Sequence, residues 1–224
     1  MCGRFGLTRP DRLRLERLGV ELGTVPGPRF NIAPGQDVLT LREKGGARRL
    51  DSLRWGLHQT WGDRHGILPN VRSEGGFTRG PFRAAVHVRR CLVFADVFYE
   101  WQDVPGRRGR QPWALGLPGG GPFALGGIWE GGEVDSVAIL TTAPNGVVLS
   151  LHDRMPVIIE PARYADWLDH RSAEPAYREM IQPWPSDQLV AWPISDRVNS
   201  VAHDDEGVLA PVDPPPPPEA LELF

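Results

Sequence analysis

The chain has 224 residues, two cysteines and a formal net charge of −3. That length buries a sizeable core without staples and suits one domain, while two cysteines exclude a disulfide framework and no CxxC or paired Cys/His spacing marks a zinc site. The charge excludes a protein coated in positive charge, so any nucleic-acid binding needs a local groove. A reducing cytoplasm fits the cysteine usage, the N-terminus lacks the apolar core of an export signal, and no apolar run approaches the ~18 residues of a membrane span. Lys44 is the single lysine among 25 basic residues. Arginine suits bidentate phosphate contacts and stacking, but a GC-rich genome gives the same bias.

In chain order, PDRLRLERLGV has a proline start and spaced leucines and predicts a short helix ending near Gly19. VLTLRE, KGG and ARRLDSLRW predict a hairpin. GPFRAAVHVRR predicts a helix from Pro81, followed by a buried strand in CLVFA. PGRRGRQ and the later GGGP predict flexible loop. VDSVAILTT and MPVIIE are strand candidates separated by a helix or turn around APNGVVLSLH. PARYADWLD and EPAYREMI predict helices and QLVAWPI a strand. The sum is α+β, strand-rich with short peripheral helices, rather than regular βαβ units. A domain over residues 1–210 is expected, followed by a proline tail over 211–224, extended, solvated and without a role in the chemistry.

Polar residues inside apolar segments single out candidate chemistry, because a buried charge is unfavourable unless paired or used. Glu100 lies between aromatics in FYEWQ, where desolvation would raise its pKa and suit it to proton transfer; an edge-strand carboxylate in water is the alternative. His152 precedes the strand-like MPVII beside Asp153 and Arg154, as a proton shuttle or a structural histidine. Asn70 and Arg72 are two apart in LPNVRSEG, on one face if extended, or part of a Pro-Asn turn. Cys91, in RCLVFA, predicts a buried small hydrophobe. Cys2 is different: removal of Met1 would leave an amine and a thiol on one residue, a 1,2-aminothiol. An α-amine has a pKa of about 8 against about 10.4 for lysine, so more of it is free base at pH 7.

Together MCGRF, RFNIAPGQ (Arg29 to Gln36), RWGL (Arg54 to Leu57), PNVRSE (Pro69 to Glu74), RCLVFADVFYEW (Arg90 to Trp101) and ILTTAPN followed by LHDRMPVII resemble, in order and spacing, the SOS response-associated peptidase (SRAP) family. That family includes proteins that crosslink to abasic sites in single-stranded DNA. The likeness runs from Cys2 to Val198–Ser200. It implies a single α+β domain around a compact, barrel-like β core with a positively charged DNA channel, and an active site of Cys2, Asn70, Glu100 and His152. It also implies that Arg4, Asn31, Arg72 and Trp101 line the site or contact DNA, with Arg154 among them and Trp61 as a stacking wedge.

The chain departs from the family pattern at His58 and Gln59, at Val71 and Gly75, and at Phe94 and Val97. A β-branched Val97 in place of glycine would be strained if that backbone needed φ > 0. The implied reaction is a Schiff base between the Cys2 amine and the ring-opened abasic aldehyde, closed to a thiazolidine by the thiol. Glu100 and His152 would move protons, and Asn70 would orient the amine or sugar. The expected partner is single-stranded DNA containing abasic sites in a DNA damage response, with no metal or organic cofactor, for a cytoplasmic monomer. A thiol peptidase using Cys2 and His152, or a non-catalytic DNA-damage binding module, would use the same residues differently.

Overall fold

The computed structural model describes residues 3–20, 26–61, 64–76 and 82–214. The strands are β1 (Phe5–Leu7), β2 (Arg29–Ile32), β3 (Asp37–Lys44), β4 (Ala47–Trp55), β5 (Leu57–Trp61), β6 (Arg64–Leu68), β7 (Asn70–Arg72), β8 (Arg90–Ala95), β9 (Val97–Gln102), β10 (Gln111–Gly116), β11 (Phe123–Glu130), β12 (Ser136–Thr142), β13 (Met155–Pro156), β14 (Ile158–Ile159) and β15 (Val190–Pro193). Short helices α1 (Ser73–Gly76), α2 (Arg83–Val88), α3 (Gly146–Leu149), α4 (Tyr164–Leu168) and α5 (Glu174–Arg178) lie between them. This is the expected α+β class, dominated by sheet.

Strands β12, β4, β3, β8 and β11 pair in that order, and β11 pairs back onto β12, so they close a ring. β3 and β4 form the expected hairpin, and β12 runs parallel to β4. Through β8, β11 and β12 the ring is apolar on both faces. In β8, Cys91, Val93 and Ala95 join one buried cluster while Leu92 and Phe94 join another. In β12, Val137 and Ile139 alternate in the same way with Ala138 and Leu140. Period-2 alternation between two cores makes CLVFA and SVAIL read as unbroken apolar runs. Gly127 supplies close approach: a Cβ there would lie 3.0 Å from the Ala138 carbonyl and 3.1 Å from the Cys91 sulfur.

Beyond Gly127 and Ile139 the paired strands β11 and β12 part. The MPVII segment enters the gap, with β13 on β12 and β14 on β11. Val157 sits at the fork: its N–H donates to Leu140 O on β12, and its carbonyl accepts from Gly126 N on β11, each at 2.8 Å. MPVIIE is thus two short strands serving different partners. On its other edge β12 exchanges β4 for parallel β7.

A second sheet, in the order β15-β10-β9-β1-β2, packs Phe5, Phe98, Leu115 and Ile32 into the core shared with Val93, Leu53 and Trp55. Its other face, with Val97 and Tyr99, is covered by the chain around Ile194, Val198 and Val208.

Several sequence expectations change. PDRLRLERLGV is not an α-helix but two 3₁₀ turns, Pro10–Arg12 and Glu16–Leu18. Leu13 is extended between them (φ −60°, ψ 140°). Leu13 and Leu15 are both buried, and residues two apart cannot share one helix face. The helix expected from Pro81 begins at Arg83, Pro81 itself lying outside the described residues. Strands β10 and β11 had no counterpart in the sequence reading. At the chain's end, Pro211 bridges Ile194 and Val212 N donates to Pro193 O, so contact with the body continues into the expected tail, whose residues 215–224 lie outside the described residues.

Val97 needs no left-handed backbone, since among the described residues only glycines have positive φ. It pairs with Gly6 across β9 and β1, and its Cγ1 occupies the space a Gly6 side chain would need. A Cβ at Gly6 would lie 2.9 Å from that atom and 3.0 Å from Arg29 O. Gly6→Ala is therefore expected to destabilise the fold by about 2 kcal/mol through overpacking, read as a lower midpoint in chemical denaturation. The added Val97→Ala change should recover only part of the loss, because the Arg29 carbonyl cannot retreat.

Candidate active site

The fork between β11 and β12 organises the site. Asn70 and Arg72 lie on β7 along one edge of β12, opposite Ile139 and Thr141. On the other edge, the chain enters β13 through His152, Asp153 and Arg154. α3 delivers this segment: Asn145 caps the helix by accepting from Val147 N and Val148 N, and His152 N donates back to Val148 O. Arg154 reaches across β12. Its guanidinium donates to Thr141 O at 2.6 Å and grips Glu74 bidentately at 2.6 and 2.7 Å. Arg154 is 11% exposed in its side chain, so the residue grouped with the DNA contacts is committed to a clamp between the Asn70–Glu74 segment and the His152 segment.

Glu100 comes from the second sheet. It continues the Phe98 row of β9 towards the core, pairs across the strand with Trp113 and is 2% exposed. Its Oε1 has no hydrogen-bond partner among the described residues. Burial pushes its carboxyl up to about 7, with the Asp153 carboxylate adding to the rise and the Arg110 guanidinium opposing it. Next in the row, Gln102 accepts from Trp113 Nε1 and turns its amide to Ser150 O at 3.4 Å, just ahead of His152. Burial lowers the His152 pKa, and Asp153 partly offsets this. The charges of Asp153 and Arg110 are thus felt by both Glu100 and His152. His152 Nδ1 accepts the Arg154 backbone N–H at 3.0 Å and lies 2.9 Å from Asp153 Oδ1.

Cys2 lies outside the described residues. Its neighbour does not: Phe5 pairs with Phe98, and Tyr99 N donates to Arg4 O. Continuing that antiparallel register sets Gly3 opposite Glu100.

The other implied residues divide. Asn31 is fully buried; its Nδ2 donates to the carbonyls of Val198, Ser200 and His203, and its Oδ1 accepts from Arg4. It cannot touch DNA and instead fixes Arg4, which also donates to Val198 O. Arg72 is exposed, and Trp101 is half-buried with its indole N–H donated to Asn199. Trp61 ends β5, opposite Arg64 in the β5–β6 hairpin; its side chain lies outside the described residues, as do those of Gln59 and Gly75. His58 is exposed, whereas Val71 and Phe94 are buried. Cys91 is buried, and burial raises its thiol pKa. Among the described residues no three His, Cys, Asp or Glu side chains form a metal-holding cluster, and no helix is long and apolar enough to cross a membrane. Gln102 and Arg110 were missed. Gln102 could have been found by strand alternation from Glu100; Arg110 sat in a segment read only as loop.

A closed ring of strands, with a buried acid and a histidine brought to its rim, defines a barrel-like α+β protein. Residues 1–201 match the family described as SOS response associated peptidase (SRAP), and the chain belongs to that family. It is 32% identical over 213 residues to the abasic site processing protein YoqW of Bacillus subtilis, covering 89% of this chain and 95% of that one. It is 28% identical over 225 residues to the abasic site processing protein YedK of Escherichia coli, covering 95% and 100%. In fold it matches a crystal structure from Bacteroides thetaiotaomicron with a TM-score of 0.80 at 16% identity, covering 94% of this chain and 100% of that one.

The Glu100 carboxyl carries a direct consequence for stability. Its folded pKa is about 7 against an ordinary value of 4.5, so the folded state holds the proton more tightly. Stability is complete below pH 4.5 and is lost as pH rises through 7, by up to about 3 kcal/mol. Glu100→Gln should gain stability relative to the parent across that window, measured by denaturation at pH 5 and pH 8. Equal differences at the two pH values would contradict the burial of this carboxyl.

Proposed function

We propose that this protein recognises abasic sites in single-stranded DNA and bonds to them covalently through Cys2 after Met1 is removed, shielding the lesion in the cytoplasm during a DNA damage response. The observation that carries the reading is the buried, protonatable Glu100 on β9, the strand that pairs with β1 close to the start of the described chain. Membership in SRAP and the likeness to abasic site processing proteins support the substrate class.

The chemistry follows from the groups. The free α-amine of Cys2 attacks the aldehyde carbon of the ring-opened sugar. Loss of water from the resulting carbinolamine gives the imine, and Glu100, near its midpoint at neutral pH, gives the departing hydroxyl its proton. The Cys2 thiol then adds to the imine carbon and its proton passes to the imine nitrogen, closing a five-membered thiazolidine. Closure is intramolecular, with effective molarities on the order of 10⁵ M or more available to such steps. His152 serves proton transfer in opening and closing the ring. Asn70 positions the amine or sugar, and exposed Arg72 meets a flanking phosphate. The Arg154–Glu74 clamp keeps the Asn70 and His152 segments in register. Release of Met1 is a peptide hydrolysis that the same Cys2 and His152 could perform.

The test is intact-protein mass and a denaturing gel after incubation with single-stranded DNA carrying one abasic site. The mature protein should form a heat-stable adduct. Cys2→Ala should form none, Cys91→Ala should match the parent, and Glu100→Gln should slow the reaction by about 100-fold. An uncleavable extension ahead of Cys2 keeps the thiol but turns the amine into an amide, and should abolish the adduct. If the extended protein acquired the full adduct while keeping its extension, a thiolate mechanism would replace the aminothiol one.

A further inference from the structure

Gln102 spans the gap between the second sheet and the His152 segment. It stands two residues beyond Glu100 in the same row of β9. Its Oε1 accepts from Trp113 Nε1 at 3.1 Å, and its Nε2 donates to Ser150 O at 3.4 Å. These partners dictate the residue type. An indole N–H only donates and a peptide carbonyl only accepts, so the group between them needs an acceptor and a donor on one planar head. Glutamate would bring acceptors alone and lysine donors alone. The same two partners settle which end of the amide is oxygen and which is nitrogen.

What the bridge joins is equally specific. Trp113 lies directly across the strand pair from Glu100. Ser150 is the C-cap of α3, two residues ahead of His152, whose N–H returns to Val148 O in the same turn. Arg154 ties that segment to Thr141 and Glu74, on the Asn70 side of the site. Gln102 ties it to the strand that carries the acid. Packing backs both feet of the bridge, since Trp113 and Leu151 rest against the same buried cluster. Gln102 is half-buried and Ser150 exposed, so the two bonds add little to the fold and act chiefly on the distance between the two arms. We infer that Gln102 is a positioning residue whose carboxamide sets the reach between Glu100 and the His152 turn, so that both groups serve one sugar. The inference deepens the crosslinking reading and rests on it for the reaction, but the bridge itself can be read in the free protein. Proton transfer needs heavy atoms within about 3.2 Å, and a misplacement of about 1 Å can cost on the order of 100-fold. With the Arg154 tie retained, loss of the bridge should cost about tenfold.

Gln102→Met keeps the length of the side chain and removes both bonds, whereas Gln102→Glu keeps the acceptor for Trp113 and turns a second oxygen towards Ser150 O. Imidazole NMR of the free protein, with the His152 signal assigned by its loss in His152→Gln, reads the turn directly. Burial holds the His152 pKa below the ordinary 6.5, and in Gln102→Met it should rise towards that value as the turn gains solvent, the charges of Asp153 and Arg110 being retained. With an abasic oligonucleotide, the crosslinking rate at saturation should fall about tenfold in Gln102→Met and at least as far in Gln102→Glu, while the half-saturating concentration stays within about twofold of the parent. The melting temperature should fall by no more than about 3 °C in either. An unmoved His152 titration in Gln102→Met would overturn the inference, as would a parental rate at saturation. A rate loss matched by an equal rise in half-saturating concentration would also overturn it, by assigning Gln102 to strand contact, and so would a much larger drop in melting temperature in both variants, by making it a packing residue. A parent that forms no adduct, while Gln102→Met still moves the His152 titration, would leave the bridge standing and remove only the covalent reading.

Discussion

Val157 joins two strands that would otherwise separate, and the site depends on that junction. β11 and β12 close the ring through the last residues of β11 and the first of β12 and part on the far side of Gly127 and Ile139, where the Val157 backbone ties both sides of the gap at 2.8 Å. The backbone groups exposed by the divergence would be unsatisfied in an apolar interior, a penalty of the order of 1–3 kcal/mol each. Filling the gap with MPVII answers that need, and by the same stroke brings His152, Asp153 and Arg154 to the rim. On the opposite edge of β12, the exchange of β4 for β7 brings Asn70 and Arg72 to the same level. Two irregularities on opposite edges of one strand therefore bring together two of the proposed catalytic groups.

Glu100 arrives from the other sheet and is placed at odds with stability. Its row on β9 begins with Phe98 in the core, so the pleat that buries Phe98 buries Glu100 as well. A fold selected for packing alone would put an apolar residue there. The surroundings, with Trp113 across the strand and Gln102 linking to Ser150, hold a carboxyl in both protonation states near neutral pH. Arg154 and Asn31 belong to the frame. Each uses its polar atoms on neighbouring chain, so substitutions there would disturb geometry before they disturbed any contact with a ligand.

The ring strands are legible in the sequence where both faces are apolar, as in CLVFA and SVAIL. They are hidden where close packing demands small residues. β11 reads FALGGIWE because Gly126 lies under Trp167 and Gly127 against Cys91 and Ala138, and those glycines erase the strand signal. The leucines of PDRLRLERLGV mislead for the opposite reason: a period-2 pair lies inside spacing that also fits a helix. At the site, the aromatic neighbours of Glu100 announced its burial. Asn31 came from the family likeness, and its role as a scaffold was not readable because its partners are backbone carbonyls 167 to 172 residues away. The role of Arg110 was equally hidden, since only the folded hairpin brings its charge to Glu100.

The partners of β1 also set an order of assembly during synthesis. The N-terminal strand pairs with β9, and Arg4 is held by the carbonyl of Val198, while Asp204 accepts from the backbone of Phe30 and Asn31 on adjoining β2. β1 and its neighbours thus acquire their surroundings only after residues as far along as Val198 and Asp204 have been made. Long-range pairing of this kind is slow to form, and domains condense as units. On the proposed reading, Cys2 accordingly gains the acid, the histidine and the frame that would activate it together, when the domain closes.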